Sequence, residues 1–174
     1  MKKILSLAVV LMLAASVSFA AELEKKFELG IGGGVGLNLT AGYDLGFGGQ
    51  VSGLYRINEN LGVGLGIGYE TFSVTGVSGW SDADLSILAL LKYSFGTEKI
   101  KPYLLAEAGM GNYIVSFSGA SASSMYPEIG GGAGVQFGLS DNANLVLQGT
   151  VNVLIATGGT WTYVPVDLGV NFNI

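Results

Sequence analysis

From residue 27 onward apolar residues recur at every second position, the spacing of a β-strand whose two faces meet different surroundings. Phe27, Leu29, Ile31, Val35 and Leu37 alternate with Glu28, Gly30, Gly32, Gly34 and Gly36, and Leu45, Phe47, Val51 and Tyr55 alternate with Gly46, Gly48, Gln50, Ser52 and Arg56. The pattern is most regular where Leu61, Val63, Leu65, Ile67 and Tyr69 interleave with four glycines and Glu70. Leu85 to Tyr93 follows against Asp84, Ser86, Leu88, Leu90 and Lys92; in the fifth segment Glu107 sets the phase, placing Leu104, Ala106, Ala108 and Met110 on the apolar face. Ile129, Ala133, Val135 and Phe137 oppose Glu128, the intervening glycines and Gln136, and Leu147, Val151, Val153 and Ile155 oppose Gln148, Thr150 and Asn152. Last, Val164 to Ile174 alternates with Asp167, Gly169, Asn171 and Asn173. The pattern predicts eight strands.

The connections alternate in length. Residues 57–60, 96–101 and 140–143 read as tight turns, while 38–43, 73–82, 116–125 and 156–161 read as longer loops rich in Gly, Ser and Thr. A strand of about 12 residues is roughly 40 Å long, and a tilt of about 45° projects it to about 28 Å, the apolar thickness of a bilayer. None of the eight apolar faces carries Asp, Glu, Lys or Arg, as a lipid-facing surface requires and a water-facing one does not. The aromatics concentrate near strand ends. Phe27, Tyr55, Tyr93, Phe95, Tyr103, Phe137 and Phe172 fall by the short turns, and Phe47, Tyr69, Phe72, Trp80, Tyr113, Phe117, Tyr126, Trp161 and Tyr163 by the long loops, as in two interfacial girdles. The alternative, aromatics packed in the core of a soluble sandwich, would scatter them along the strands.

Composition agrees. The 174 residues are 49% hydrophobic and 12% charged with 29 glycines, against about 25% charged and 7% glycine in soluble domains. With no Cys and no His, disulfides, thiolate metal sites, a cysteine-linked lipid and the commonest general base are all excluded. Residues 1–20 read as an export signal: Lys2 and Lys3, an apolar run from Ile4 to Ala15, then Ser18-Phe19-Ala20 at a cleavage site before Ala21. The alternative is a retained membrane helix, disfavoured by the small-residue cleavage site and the acidic flank of Glu22 and Glu24. The expected mature chain, 21–174, keeps six basic residues against thirteen acidic, a net charge of −7, which excludes nucleic acid as a partner.

In Lys101-Pro102-Tyr103-Leu104, the Ala/Gly-rich run to Tyr113, and the C-terminal segment Asp167 to Ile174, the chain resembles the small eight-stranded bacterial outer-membrane barrels of the OmpA/OmpX type. That segment fits the assembly signal of such barrels at Asp167, Gly169 and Phe172, and departs from it in ending on Ile174 rather than Phe. The resemblance implies an antiparallel up-and-down barrel in the outer membrane of a Gram-negative-type bacterium, embedded in outer-membrane lipids. It implies short turns in the periplasm, outward long loops, and recognition of the C-terminal strand by the barrel-assembly machinery. The expected chain leaves no room for a periplasmic peptidoglycan-binding domain.

Inside such a barrel the alternating glycines face the lumen, either relieving crowding against Leu88, Leu90, Leu105, Leu154 and Tyr163 or leaving a narrow water path. They lack the strand-to-helix setting of a phosphate loop. Lys25, Lys26, Arg56, Lys92, Lys99 and Lys101 gather toward the short-turn end, and Asp44, Glu70, Asp82, Asp84 and Glu128 toward the other mouth. Register counting sets Glu70 opposite Asp84. Glu70, Asp84 and Glu128 then form either an acidic vestibule that attracts cations or weakly binds a divalent ion, or a rim whose carboxylates stay wet. The same counting brings Glu28 toward Arg56 and Lys92 diagonally near Glu107, as ion pairs plugging the floor.

No residue pattern calls for a cofactor or a catalytic site. Outer-membrane barrel enzymes pair Ser or Asp with His, which this chain lacks, and Glu70 with Asp84 has no substrate cleft. Two functions remain: an envelope-structural or surface-interaction barrel, with the Ser-rich third long loop, Trp80 and Trp161 as extracellular contact points, or a narrow porin-like channel with an acidic, cation-preferring mouth. Lys or Arg clamping of lipopolysaccharide phosphates has no basic surface at that mouth.

Overall fold

The computed structural model describes residues 26–96 and 99–174, so the expected export signal and Lys25 lie outside the described residues. The named elements are eight strands: β1 (Phe27–Asn38), β2 (Gly46–Arg56), β3 (Leu61–Ser73), β4 (Trp80–Ser94), β5 (Ile100–Phe117), β6 (Ala120–Gly138), β7 (Ala143–Ala156) and β8 (Gly159–Asn173). Each pairs antiparallel with its sequence neighbours, and β1 pairs with β8, closing the barrel. Closure leaves the membrane wall without an unpaired strand edge, as hydrocarbon demands.

Every strand keeps the phase read from the sequence. Ile31, Phe47, Leu65, Ile87, Leu104, Ile129, Leu147 and Leu168 point out and are exposed, Leu65 by 62%, while Glu28, Glu70, Lys92, Glu107, Glu128 and Asp167 point in and are buried. An exterior of bare Leu, Ile, Val and Phe with the charges inside inverts a soluble protein. Burial of that surface in lipid accounts for it.

The connections differ from expectation at the long-loop end. Only residues 39–45 form a loop of that kind; Ser73–Asp82 shrinks to residues 74–79, and β7 and β8 join through residues 157–158. The Ser-rich segment 116–125 is mostly strand. Its turn is Ser118 and Gly119, whose positive φ values of 48° and 87° suit a two-residue hairpin. β5 and β6 therefore run on as a hairpin beyond the β6–β7 ladder, with β4 still paired to β5 as far as Trp80 and Phe117. Residues 120–127 of β6 pair with β5 alone, because the ladder to β7 starts at Glu128. Alternating Ala and Ser there had read as loop because both faces meet water, leaving no apolar stripe.

Several lumen glycines are seats for other groups. A Cβ on Gly34 would strike the Val166 carbonyl of β8, so β1 and β8 close only without it. On Gly66 it would lie 3.2 Å from Leu90, on Gly111 2.6 Å from the Asp84 carboxylate, and on Gly134 it would enter the Tyr103 ring. Crowding relief is the reading these contacts support. Leu88, Leu90, Leu105, Leu154 and Tyr163 are all buried in the lumen.

Candidate functional site: the lumen from floor to outer mouth

At the short-turn end Glu28, 2% exposed, receives three groups. Arg56 Nη2 donates to its Oε2 at 3.0 Å, Lys92 Nζ forms a close ion pair with Oε1, and Asn171 Nδ2 donates to Oε1 at 2.7 Å. Arg56 also donates to Asn173 Oδ1 at 2.6 Å, and the Lys92 ammonium sits 4.7 Å from the Tyr103 ring centroid. The Glu28–Arg56 pair is where register counting put it. Lys92 is not paired with Glu107: on the β4–β5 ladder it faces Leu105, and its long side chain reaches Glu28 across the lumen instead. In so narrow a barrel opposite walls touch, which counting along one ladder does not capture.

Above the floor lies an apolar belt of Leu54, Leu88, Leu90, Tyr103, Leu105 and Val146. Tyr103 belongs here and not to an aromatic girdle; its hydroxyl donates to Gln148 Oε1 at 2.8 Å. Alongside, Gln50 Nε2 donates to Asp167 Oδ2 at 2.9 Å between two small cavities, both lined by these two residues. The lower is about 40 Å³ and the upper about 30 Å³, room for a few waters each.

In the outer half Glu70 and Asp84 are ladder partners, and Asp84 and Glu128 both meet Tyr163. The Tyr163 hydroxyl lies 3.0 Å from Asp84 Oδ2 and 2.8 Å from Glu128 Oε1, one proton spanning two carboxylates. Glu70, Asp84 and Glu128 are 6%, 1% and 1% exposed, so they are interior groups and not a wet rim. Among the described residues no three carboxylates stand close enough to chelate one metal ion.

Over them sits an aromatic plug. Trp161 packs against Phe72, Tyr113 and Tyr163 at ring-centroid distances of 5.3, 5.1 and 5.0 Å, and against Tyr43 at 6.4 Å. Asp82 pins the plug: it accepts from the Tyr43 and Tyr113 hydroxyls and from Trp80 Nε1 at 2.9 Å. Burial, with the Asp82 hydrogen bond, holds the Tyr43 phenol above its ordinary titration range. Phe72, Trp161 and Tyr163 thus face inward rather than toward an interface, and Trp161, 7% exposed, is not a surface contact point; Trp80, 39% exposed, remains on the rim beside Phe117. Strand parity already placed Tyr103 with Leu105 and Phe72 with Glu70. The hub role of Asp82 and the entry of Tyr43 from its loop had no sequence signal.

At the C-terminal strand Asp167 is buried in the lumen, and Gly169 lies against the β1 backbone, where a Cβ would come 2.9 Å from Gly32 Cα. Phe172 points outward, and Ile174 exchanges backbone hydrogen bonds with Phe27 at 3.1 and 2.8 Å.

A closed eight-stranded antiparallel barrel with an apolar exterior and a charged, filled interior is an integral outer-membrane β-barrel. The chain belongs to the outer membrane protein beta-barrel domain family, whose model matches residues 5–160. The fold is that of neisserial surface protein A (TM-score 0.67, 20% identity, covering 85% of this chain and 96% of that one). It is also that of Ail, the attachment invasion locus protein of Yersinia pestis (0.54, 20%, 85% and 96%), and of a major outer membrane protein from Thermus thermophilus (0.57, 15%, 85% and 99%). No curated protein sequence matches the chain. The protein resides in the outer membrane of Gram-negative bacteria, in contact with its lipids.

Proposed function

We propose that this is a sealed, non-enzymatic barrel that serves the envelope through its lipid-facing wall and outer rim, by structural support or surface contact. The observation that carries this reading is double closure: the Glu28–Arg56–Lys92 floor and the Trp161 plug stand at opposite ends of a filled lumen. The β5–β6 hairpin and Trp80 supply the part most available for extracellular contact.

Export through residues 1–20, leaving a barrel domain of 21–174, and handling of the β8 strand by the barrel-assembly machinery through Asp167, Gly169, Phe172 and Ile174 belong to the same proposal. Gly169 carries a structural demand of its own there, since β1 packs on it. The second reading, a narrow cation-preferring channel, draws on the one-sided distribution of Glu70, Asp84 and Glu128. Planar-bilayer recording of the purified barrel decides between them. No single-channel steps are expected; steady conductance with cation preference lost in Glu70→Gln with Asp84→Asn would replace the sealed reading with the channel.

A further inference from the structure

We propose that the upper lumen cavity holds a small, partly hydrated cation. This cavity of about 30 Å³ lies between the Gln50–Asp167 hydrogen bond and Tyr163, with Glu70, Glu107, Asp167, Asn152, Thr150 and Ser86 among its walls. Its polar lining is dominated by oxygen. Three carboxylates line it together with the Ser86 and Thr150 hydroxyls and the Gln50 amide, which donates to Asp167 Oδ2.

A set of acids alone does not define a site. The independent pointer is Asn152, a neutral side chain 5% exposed, whose amide nitrogen is turned to Tyr163 and whose carbonyl Oδ1 has no partner. That carbonyl converges with Glu107 Oε2 over Gly130, where both oxygens crowd the position a Cβ would take. Two buried acceptors facing one position are both satisfied by an electropositive body beside them. Glu70 Oε2 and Asp167 Oδ1 are likewise buried without a partner. The lumenal cations Arg56 and Lys92 are both engaged by Glu28. An uncompensated buried carboxylate costs several kcal/mol, and a trapped cation offsets that cost.

The walls also say what kind of ion fits. Because among the described residues no three carboxylates converge to chelating distance, the ion keeps part of its water, and the cavity has room for about two water-sized bodies. Mixed carboxylate, amide-carbonyl and water coordination suits Ca²⁺, with its flexible shell of oxygens, or Na⁺. It suits Mg²⁺ poorly, since that ion demands near-ideal octahedral geometry. Tetramethylammonium is too large to enter.

The inference goes beyond the sealed-barrel reading and fails separately from it: a conducting barrel shows itself as current, an absent ion as a flat cation response. The test is urea unfolding of the full barrel, refolded in detergent micelles with CaCl2, NaCl or tetramethylammonium chloride at equal ionic strength. Unfolding is expected to be about tenfold slower in CaCl2 at about ten times the dissociation constant than in tetramethylammonium chloride. Glu107→Gln with Asp167→Asn should abolish the difference, and Asp44→Asn, on the exposed loop, should keep it. Asn152→Asp, which adds a carboxylate at the same point, should enlarge it and gives the answer if the double variant does not fold. Tb³⁺ added during refolding should show luminescence sensitised by Tyr163 that the Glu107/Asp167 variant loses. Equal unfolding rates in all three salts, a calcium effect that survives in the Glu107/Asp167 variant, or no gain in Asn152→Asp would overturn the proposal.

Discussion

The two ends of the lumen are closed by different chemistry. The floor joins opposite charges: one carboxylate, Glu28, is shared by a guanidinium and an ammonium, with two asparagines completing the set. The outer mouth has no basic partner for its acids among the described residues; it closes with rings, and Asp82 is held by neutral phenol and indole donors. A charged floor depends on every member of its set being present. A ring plug spreads its hold over many dispersion contacts and one carboxylate.

The sharpest way to break this contrast is Glu28→Leu. It leaves Lys92 buried without a counter-charge and should cost about 3–5 kcal/mol in urea unfolding of the micelle-bound barrel. Replacing Lys92 by Met in the same chain should recover most of that loss; if it recovers none, Glu28 acts through its asparagines and not its ion pairs. Next in size is Gly111→Ala in the outer half, where the new methyl meets the Asp84 and Glu128 carboxylates at 2.6 and 2.7 Å. Overpacking of that kind costs about 1–3 kcal/mol. The outward Gly53, with only Leu29 nearby at 3.6 Å, should accept Ala within about 1 kcal/mol. Equal costs at the two glycines would show that strand distortion, and not lumenal crowding, governs the wall.

A titration sharpens the outer side. Tyr43 has its titration raised in the folded protein, so its lid contact is fully present below about pH 10, the ordinary phenol value, and is lost as pH rises through the higher folded value. Asp82→Asn should bring that midpoint down toward the ordinary value, read as phenolate absorbance, and lower stability by about 1–2 kcal/mol. A midpoint unmoved by the substitution would separate Tyr43 from the Asp82 hub.

The faces of all eight strands were legible in the sequence because lipid on one side and a crowded lumen on the other impose strict period two. The Glu70–Asp84 register and the Glu28–Arg56 approach followed from counting out of turns. What counting could not supply was contact across the lumen: Lys92 and Glu28 lie on strands that share no ladder, so their pairing exists only once the barrel has its diameter. The aromatics were misplaced for a different reason. Position near a strand end does not decide which face a ring takes; parity does, and it turns Phe72 and Tyr103 inward. The β5–β6 extension escaped because a strand wet on both faces carries no apolar stripe, and Ala, Ser and Gly then read as loop.

The seam between β1 and β8 has a kinetic consequence. Phe27 and Ile174 exchange two backbone hydrogen bonds across nearly the whole described chain, and the β1–β8 ladder runs from Glu28 and Asn173 to Asn38 and Tyr163. Contacts of such sequence separation give no return until the loop between them has been closed, so acquisition of this structure is slow by its topology. Until the seam shuts, β1 and β8 each present an open row of amides and carbonyls, a liability that lasts as long as closure takes.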